Sequence, residues 1–228
     1  MKSKREIIEI LDRLKQEYPH AECALMHRNV FELIVCVVLS AQTTDVSVNK
    51  ISPQLFGEYP TPEALAAADL VKVEEIIRTI GMYRTKSRNI IKLAQGLCDN
   101  FGGKVPEDYD QLISLPGVGR KTANVVLAVG FGHERIAVDT HVFRVSRRIG
   151  LAGNACDSKG EEGGAKLYSA KSAGTAEVLA TEEELMRNLP KDRWSEAHHS
   201  LIWHGRKCCT AKAPACDRCT IRDLCDFS

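Results

Sequence analysis

Net charge is nearly absent from this 228-residue chain: 31 basic against 30 acidic residues leave +1 at neutral pH. No global attraction to a polyanion follows, so an anionic partner has to be met by a local patch. The chain opens without a charged segment leading into an apolar one, which argues against a signal peptide. Its longest apolar stretch, Val30 to Leu39, is interrupted by Glu32. A bilayer span needs about 20 such residues, so no membrane segment is expected and this stretch reads as a buried helix. Alternating apolar and polar runs are scarce, which disfavours a sheet, and no internal repeat is visible. Without a secretory signal, the odd count of nine cysteines speaks against a disulfide framework and for reduced thiols, metal or catalysis.

What is present reads as helix. Ile7, Ile8, Leu11 and Leu14 recur at helical spacing. Thr61-Pro62-Glu63 sets a capping hydroxyl before a proline suited to the first helical position. Asp69 can cap a helix carrying Leu70, Val73, Ile76, Ile77 and Ile80 that stops at Gly81. Another carries Ile90, Ile91, Ala94 and Leu97 and ends near Gly102-Gly103. The run Val35 to Val38 is β-branched, but its helical neighbours favour helix. The fold class expected is all-α. Residues 153–181 differ, being rich in Gly, Ala, Ser and Lys with weak periodicity, and read as a solvated, flexible surface insert. Six acids against two lysines between Glu161 and Glu184 make that stretch locally acidic.

Five of the nine cysteines crowd into "CCTAKAPACDRCTIRDLC", residues 208 to 225. Four of them, Cys209, Cys216, Cys219 and Cys225, are separated by six, two and five residues. Four thiolates so close in sequence can close around zinc or an iron–sulfur cluster. Structural zinc more often uses two paired C-x2-C knuckles, and only one exists here. The wider, uneven gaps suit a cuboidal cluster, while zinc and unligated core cysteines stay open. Cys208 has no place in this spacing, though it could compete with Cys209.

A second signal is "LISLPGVGRKTANVVLAV", residues 112 to 129. An apolar helix end meets Pro116-Gly117-Val118-Gly119, and a second helix begins at Arg120. Glycines permit the sharp reversal, and the opening amides of the second helix can meet a phosphate. A Walker A loop is rejected: Arg120, not glycine, precedes Lys121, and position 115 is leucine. Eighteen residues after Lys121, an apolar run stops at Asp139, which can cap a helix carrying Val142, Val145 and Ile149. Arg144, Arg147 and Arg148, with no acid among residues 140–150, form a candidate basic patch. Solvated surface arginines are the plain alternative.

With "LSAQTTDVSVNK" (39–50), Leu-Pro-Gly-Val-Gly-Arg-Lys-Thr-Ala-Asn (115–124), "AVDTH" (137–141) and the four spaced cysteines in order, the chain resembles the endonuclease III family. These are DNA glycosylase/AP lyases of the helix-hairpin-helix superfamily. The likeness covers residues 1 to about 150 and about 190 to 225. It implies two helical lobes with the active cleft between them. Residues 1–24 supply an N-terminal helix, 25–132 a six-helix barrel with the hairpin at 108–130, and 133–228 the cluster lobe.

It further implies removal of oxidised pyrimidines from duplex DNA, followed by β-elimination 3′ to the abasic site. Lys121 would be the nucleophile and Asp139 its partner. Cys209, Cys216, Cys219 and Cys225 would hold a [4Fe–4S] cluster. Gln42, Met82, Gly117, Val118, Gly119, Arg120, His141 and Arg144 would meet DNA, Gln42 filling the space of the extruded base. Met82 stands where the family commonly has a leucine wedge. The chain is expected to act as a monomer on damaged or abasic double-stranded DNA, in the cytoplasm at the nucleoid. A monofunctional glycosylase, or a non-catalytic DNA-binding module with a structural metal, are the alternatives.

Overall fold

Capping chemistry starts the helices where the sequence places it. In the computed structural model, which describes residues 2–153 and 175–227, α1 (Lys4–Glu17) opens on a capping box. Ser3 Oγ accepts from the Glu6 amide at 3.3 Å, and the Ser3 amide donates to Glu6 Oε2 at 2.7 Å. Ile7, Ile10, Leu11 and Leu14 are buried while Ile8 is exposed, because a 3.6-residue period from Ile7 selects 10, 11 and 14. α2 (Val30–Leu39) settles the β-branched run as helix; Asn29 Oδ1 caps it, accepting from the Glu32 amide at 2.9 Å. It is apolar nearly all round and correspondingly buried. Its one acid, Glu32, takes the Arg28 amide and Nε, each at 2.8 Å, so the buried carboxylate is paired.

α3 (Asp45–Glu58), α4 (Pro62–Ala66), α5 (Leu70–Ile77) and α6 (Tyr83–Phe101) follow, then α7 (Tyr109–Ser114) and α8 (Arg120–Val125), which continues into a π-helical turn, Val126–Gly130. Thr61 and Asp69 cap α4 and α5 as expected. α5 ends at Ile77, short of Gly81. α9 (Thr140–Ile149), α10 (Thr175–Asn188) and α11 (Trp194–Lys207) complete the α-helices, and short 3-10 turns carry Cys216 and end at Cys225. Among the described residues there is no strand. The expectation of a flexible insert over 153–181 falls partly outside the described residues, at 154–174. From Thr175 onward it is corrected: that segment is helix, with Thr181, Glu182 and Leu185 buried.

The chain forms two compact units. Cys23–His133 makes one, around a core that includes Leu33, Ile34, Leu55, Ile90 and Leu127. Met1–Glu22 and Glu134–Ser228 make the other, around Leu11, Phe143, Val145, Leu185 and Leu201.

Within the second unit, α11 packs closely on α9 because Gly205 has no side chain. A Cβ there would meet Arg144 Nη2, His141 Nδ1 and Val145 Cγ2, each at 3.0 Å. The basic patch expected on α9 is not a surface feature. Arg144 and Arg148 are 7% and 1% exposed. Arg144 donates to the carbonyls of Gly205 at 2.9 Å, of Cys209 at 3.1 Å and of Thr140 at 3.2 Å. Arg148 donates to Thr210 O at 2.8 Å and Ala211 O at 3.1 Å. The two lie one turn apart on the face that meets the end of α11 and the cysteine loop, where bare carbonyls need donors.

This burial makes a prediction. Arg144→Gln should destabilise the fold by about 1–3 kcal/mol for each carbonyl left without a donor. The salt dependence of DNA binding by the folded protein should stay the same. A phosphate contact would instead lower the slope of log affinity against log salt by about one at little cost in stability. Chemical denaturation and a salt titration of binding separate the two.

Candidate functional site

Three groups of side chains carry chemistry. The first surrounds the hairpin. α7 ends at Ser114, Val118 N bonds Leu115 O at 3.1 Å to close the turn, and Gly117 sits at φ +80°, a conformation that favours glycine. A Cβ on Gly117 would also meet Asn89 Cβ and Val38 Cγ1 at 3.3 Å. Val118 is buried as the hairpin's anchor, while Gly117, Gly119, Arg120 and Lys121 are exposed. Gly119 starts α8 in extended conformation and brings no side chain to cap it, so the first amides of α8 meet no capping oxygen from that residue. Lys121 stands on this opening turn.

The same unit carries Gln42 and Met82. They are the only non-glycine residues at positive φ among the described residues, at +54° and +59°. Left-handed backbone costs roughly 1–2 kcal/mol for a residue with a Cβ. Both side chains are exposed, Met82 at 57%. Lys86, which the sequence reading passed over, is buried one turn after Met82. Burial pushes its ammonium below the ordinary lysine range. On a helical wheel it heads the stripe Ile90, Leu93, Leu97.

The second group opens α9 in the other unit. Asp139 Oδ1 accepts from the amides of His141 and Val142, both at 2.8 Å. Two backbone donors at the helix N-terminus fix the direction of the carboxylate. Ile136, Ala137 and Val138 anchor the approach in the core. His141 is half-buried with Nδ1 3.2 Å from Arg144 Nη2; burial holds its imidazole below its usual range. Arg144 itself points into the protein, as described above.

The third group is the cysteine loop. One cavity is lined by all five of its cysteines, Cys208, Cys209, Cys216, Cys219 and Cys225, with His204 beside them. None of the five is in a disulfide. His204 Nε2 lies 3.7 Å from Cys219 Sγ, and the ligand atoms of His204, Cys208 and Cys219 lie within 4.8 Å of one another. Cys208, left out of the spacing argument, therefore faces the same space as the four expected ligands. Arg148 Nη1 reaches Cys209 Sγ at 3.5 Å and adds positive charge beside the thiols. Burial pushes the Cys208 thiol up to about 12 and His204 down to about 4. Tyr18 Oη, 3.1 Å from His204 Nδ1, orients that ring. Soft sulfur donors gathered in one cavity next to a guanidinium fit a thiolate-held metal centre, zinc or iron–sulfur.

Comparison with known proteins agrees with this arrangement. Residues 35–168 match the HhH-GPD superfamily of base excision DNA repair proteins. Endonuclease III of Bacillus subtilis is 46% identical over 215 residues, covering 94% of this chain and 89% of that protein. Endonuclease III of Escherichia coli K12 is 42% identical over 225 residues, covering 99% and 97%. Among solved structures, a trapped endonuclease III–DNA covalent intermediate shares 45% identity at a TM-score of 0.85, covering 100% of this chain and 97% of that one. A helical hairpin that presents a lysine, a capping aspartate held by two amides, a five-cysteine cavity and this extent of identity have one common explanation: the chain belongs to the endonuclease III family within the HhH-GPD superfamily.

Proposed function

We infer that the chain is a bifunctional DNA glycosylase and AP lyase that removes oxidised pyrimidines from duplex DNA. The observation that carries this is Lys121, exposed on the opening turn of a helix whose N-terminus follows a bare glycine hairpin. The amides of Gly119 and Arg120 can receive a backbone phosphate there, which sets the sugar near the lysine. The damaged base leaves the stack for a pocket. Gln42 takes up the vacated space, and Met82 inserts as an apolar wedge. Neutral Lys121 Nζ attacks the sugar C1′ as the C1′–N bond to the base breaks, and the base departs with the bonding pair. Asp139, oriented by the His141 and Val142 amides, stabilises the positive charge that develops on the sugar and assists proton transfer. The C1′–O4′ bond of the adduct then breaks, O4′ taking up a proton as Nζ gives one up, and the opened sugar is held to the lysine as an imine. Abstraction of a C2′ proton then expels the 3′ phosphate, which cuts the strand. The relative trapped covalently on DNA supports this route.

The cysteine cavity is assigned to a [4Fe–4S] cluster held by Cys209, Cys216, Cys219 and Cys225. These residues would hold it through their thiolates, which would cross-link the C-terminal loops. The target is damaged or abasic double-stranded DNA, met by a monomer in the cytoplasm at the nucleoid. No helix among the described residues is long and apolar enough to cross a membrane.

Two experiments test these assignments. Borohydride should trap the wild-type protein on lesion-bearing duplex. Lys121→Gln should abolish trapping and strand cleavage while largely keeping affinity, since a phosphate-pairing lysine would lose binding instead. An adduct that persists in Lys121→Gln sinks the assignment. For the metal, the purified protein should carry about four iron and four sulfide per chain. Cys209→Ser should lose iron and Cys208→Ser should keep it; stoichiometric zinc, or the reverse pattern, refutes the ligand set.

A further inference from the structure

Lys86 is a buried charge that the proposed chemistry does not use. It is 3% exposed and lies on the core-facing stripe of α6. Glu32, the other buried charged side chain of the Cys23–His133 unit, has Arg28 as its ion-pair partner. Lys86 instead donates its ammonium to Thr43 Oγ1, 43 residues away in sequence. An ammonium buried against one hydroxyl among the described residues is costly to keep.

Its position explains what it does. Thr43 is the residue after Gln42, in the turn between α2 and α3, where Thr43 N bonds Ser40 O at 3.0 Å. Thr44, the next residue, caps α3 through its side chain, which accepts from the Ser47 amide. The backbone amide of Lys86 donates to Met82 O at 3.0 Å. One residue therefore grips both of the left-handed, exposed non-glycine positions. Its side chain holds the neighbour of Gln42, and its amide holds Met82. Met82 starts α6 with no side-chain cap, its carbonyl accepting also from the Thr85 amide at 3.1 Å, and Gln42 sits in a turn position that glycine would fill without strain.

We propose that Lys86 is a positioning residue, tying the 40–44 turn to the first turn of α6 so that Gln42 and Met82 are presented to duplex DNA in a fixed relation. This rests on the reading that both side chains enter the duplex. The tie stores the strained backbone in the free protein, so the ordering cost is met before DNA arrives. Loss of the ammonium–hydroxyl bond frees the turn to relax away from its left-handed geometry while α6 itself stays intact, because the Lys86 amide remains.

The test uses the full chain and a duplex carrying one thymine glycol, with 2-aminopurine opposite it to report unstacking. Thr43→Val removes the hydroxyl at constant shape. It should lower both the fluorescence change and the single-turnover excision rate about tenfold, a loss within the range for small misplacements near a reacting centre. Melting temperature should fall by only a few degrees, since the ammonium loses its hydroxyl, and adding Lys86→Met, which removes that charge, should recover it. Thr43→Ser, which restores the hydroxyl, should return both to within about twofold. Lys86→Met should match Thr43→Val where it folds, and the double variant should be no worse than the poorer single, since one tie is lost once. Gln42→Ala and Met82→Ala serve as controls, each expected to lower the fluorescence change. If they do and Thr43→Val does not, or if Thr43→Ser is as impaired as Thr43→Val, the tie has no positioning role. If neither control lowers the signal, the reading of Gln42 and Met82 is wrong and the proposal goes with it.

Discussion

Two buried guanidinium groups hold together the unit that carries Asp139. Arg144 and Arg148, one turn apart on α9, supply donors to the carbonyls of Gly205, Cys209, Thr210 and Ala211. The end of α11 and the start of the cysteine loop have no strand or helix to satisfy those carbonyls, and orphaned carbonyls are costly away from water. The arginines answer that need, and Arg148 also brings positive charge to Cys209 Sγ. Thiolates gathered around a metal would carry excess negative charge, which a neighbouring guanidinium would offset. Because Asp139 caps α9, the carboxylate at one end of the helix and the cysteines against its flank belong to one packed body.

The other unit handles a different demand. Its exposed chemistry sits on turns: Gln42 after α2, Met82 before α6, Lys121 after the hairpin glycines. Turns are the mobile part of a helical protein, and a side chain presented from one keeps a fixed direction only where the backbone is held. The molecule meets this with backbone strain held by buried contacts. Val118 and Gly117 lock the hairpin against α2 and α6. Lys86 and Thr43 link the two left-handed residues. Each unit therefore has its own rigid support for the group it presents, the Lys121 amine in one and the Asp139 carboxylate in the other.

How much of this the sequence carried depended on the kind of signal. The all-helical class and the caps at Thr61 and Asp69 followed from periodicity and hydroxyl placement, which act locally. The four cysteines followed from spacing. Cys208 did not, because its presence in the same cavity comes from the turn after α11, where Cys209 N reaches back to His204 O at 2.8 Å. Arg144 and Arg148 were misread as surface because an arginine is ordinarily solvated; only the carbonyls of a loop more than sixty residues away show why they are buried. The segment from Thr175 was read as loop because Thr181 and Glu182 interrupt the stripe of Val178, Leu185 and Leu189 that α10 packs into the core. Lys86 hid for the opposite reason: a charged residue on an apolar stripe looks like an error in the pattern until its partner is known.

Coupling between the metal site and the helix that Asp139 caps is the central claim, and amide hydrogen exchange tests it most directly. Protein with its metal centre intact is compared with protein from which the metal has been removed. Losing the metal frees the loop from Cys208 to Cys225, and through Arg144 and Arg148 it should loosen α9. The amides of His141 and Val142, which Asp139 caps, are predicted to lose protection together with those of the loop. Full protection at His141 and Val142 alongside an open cysteine loop would contradict the account.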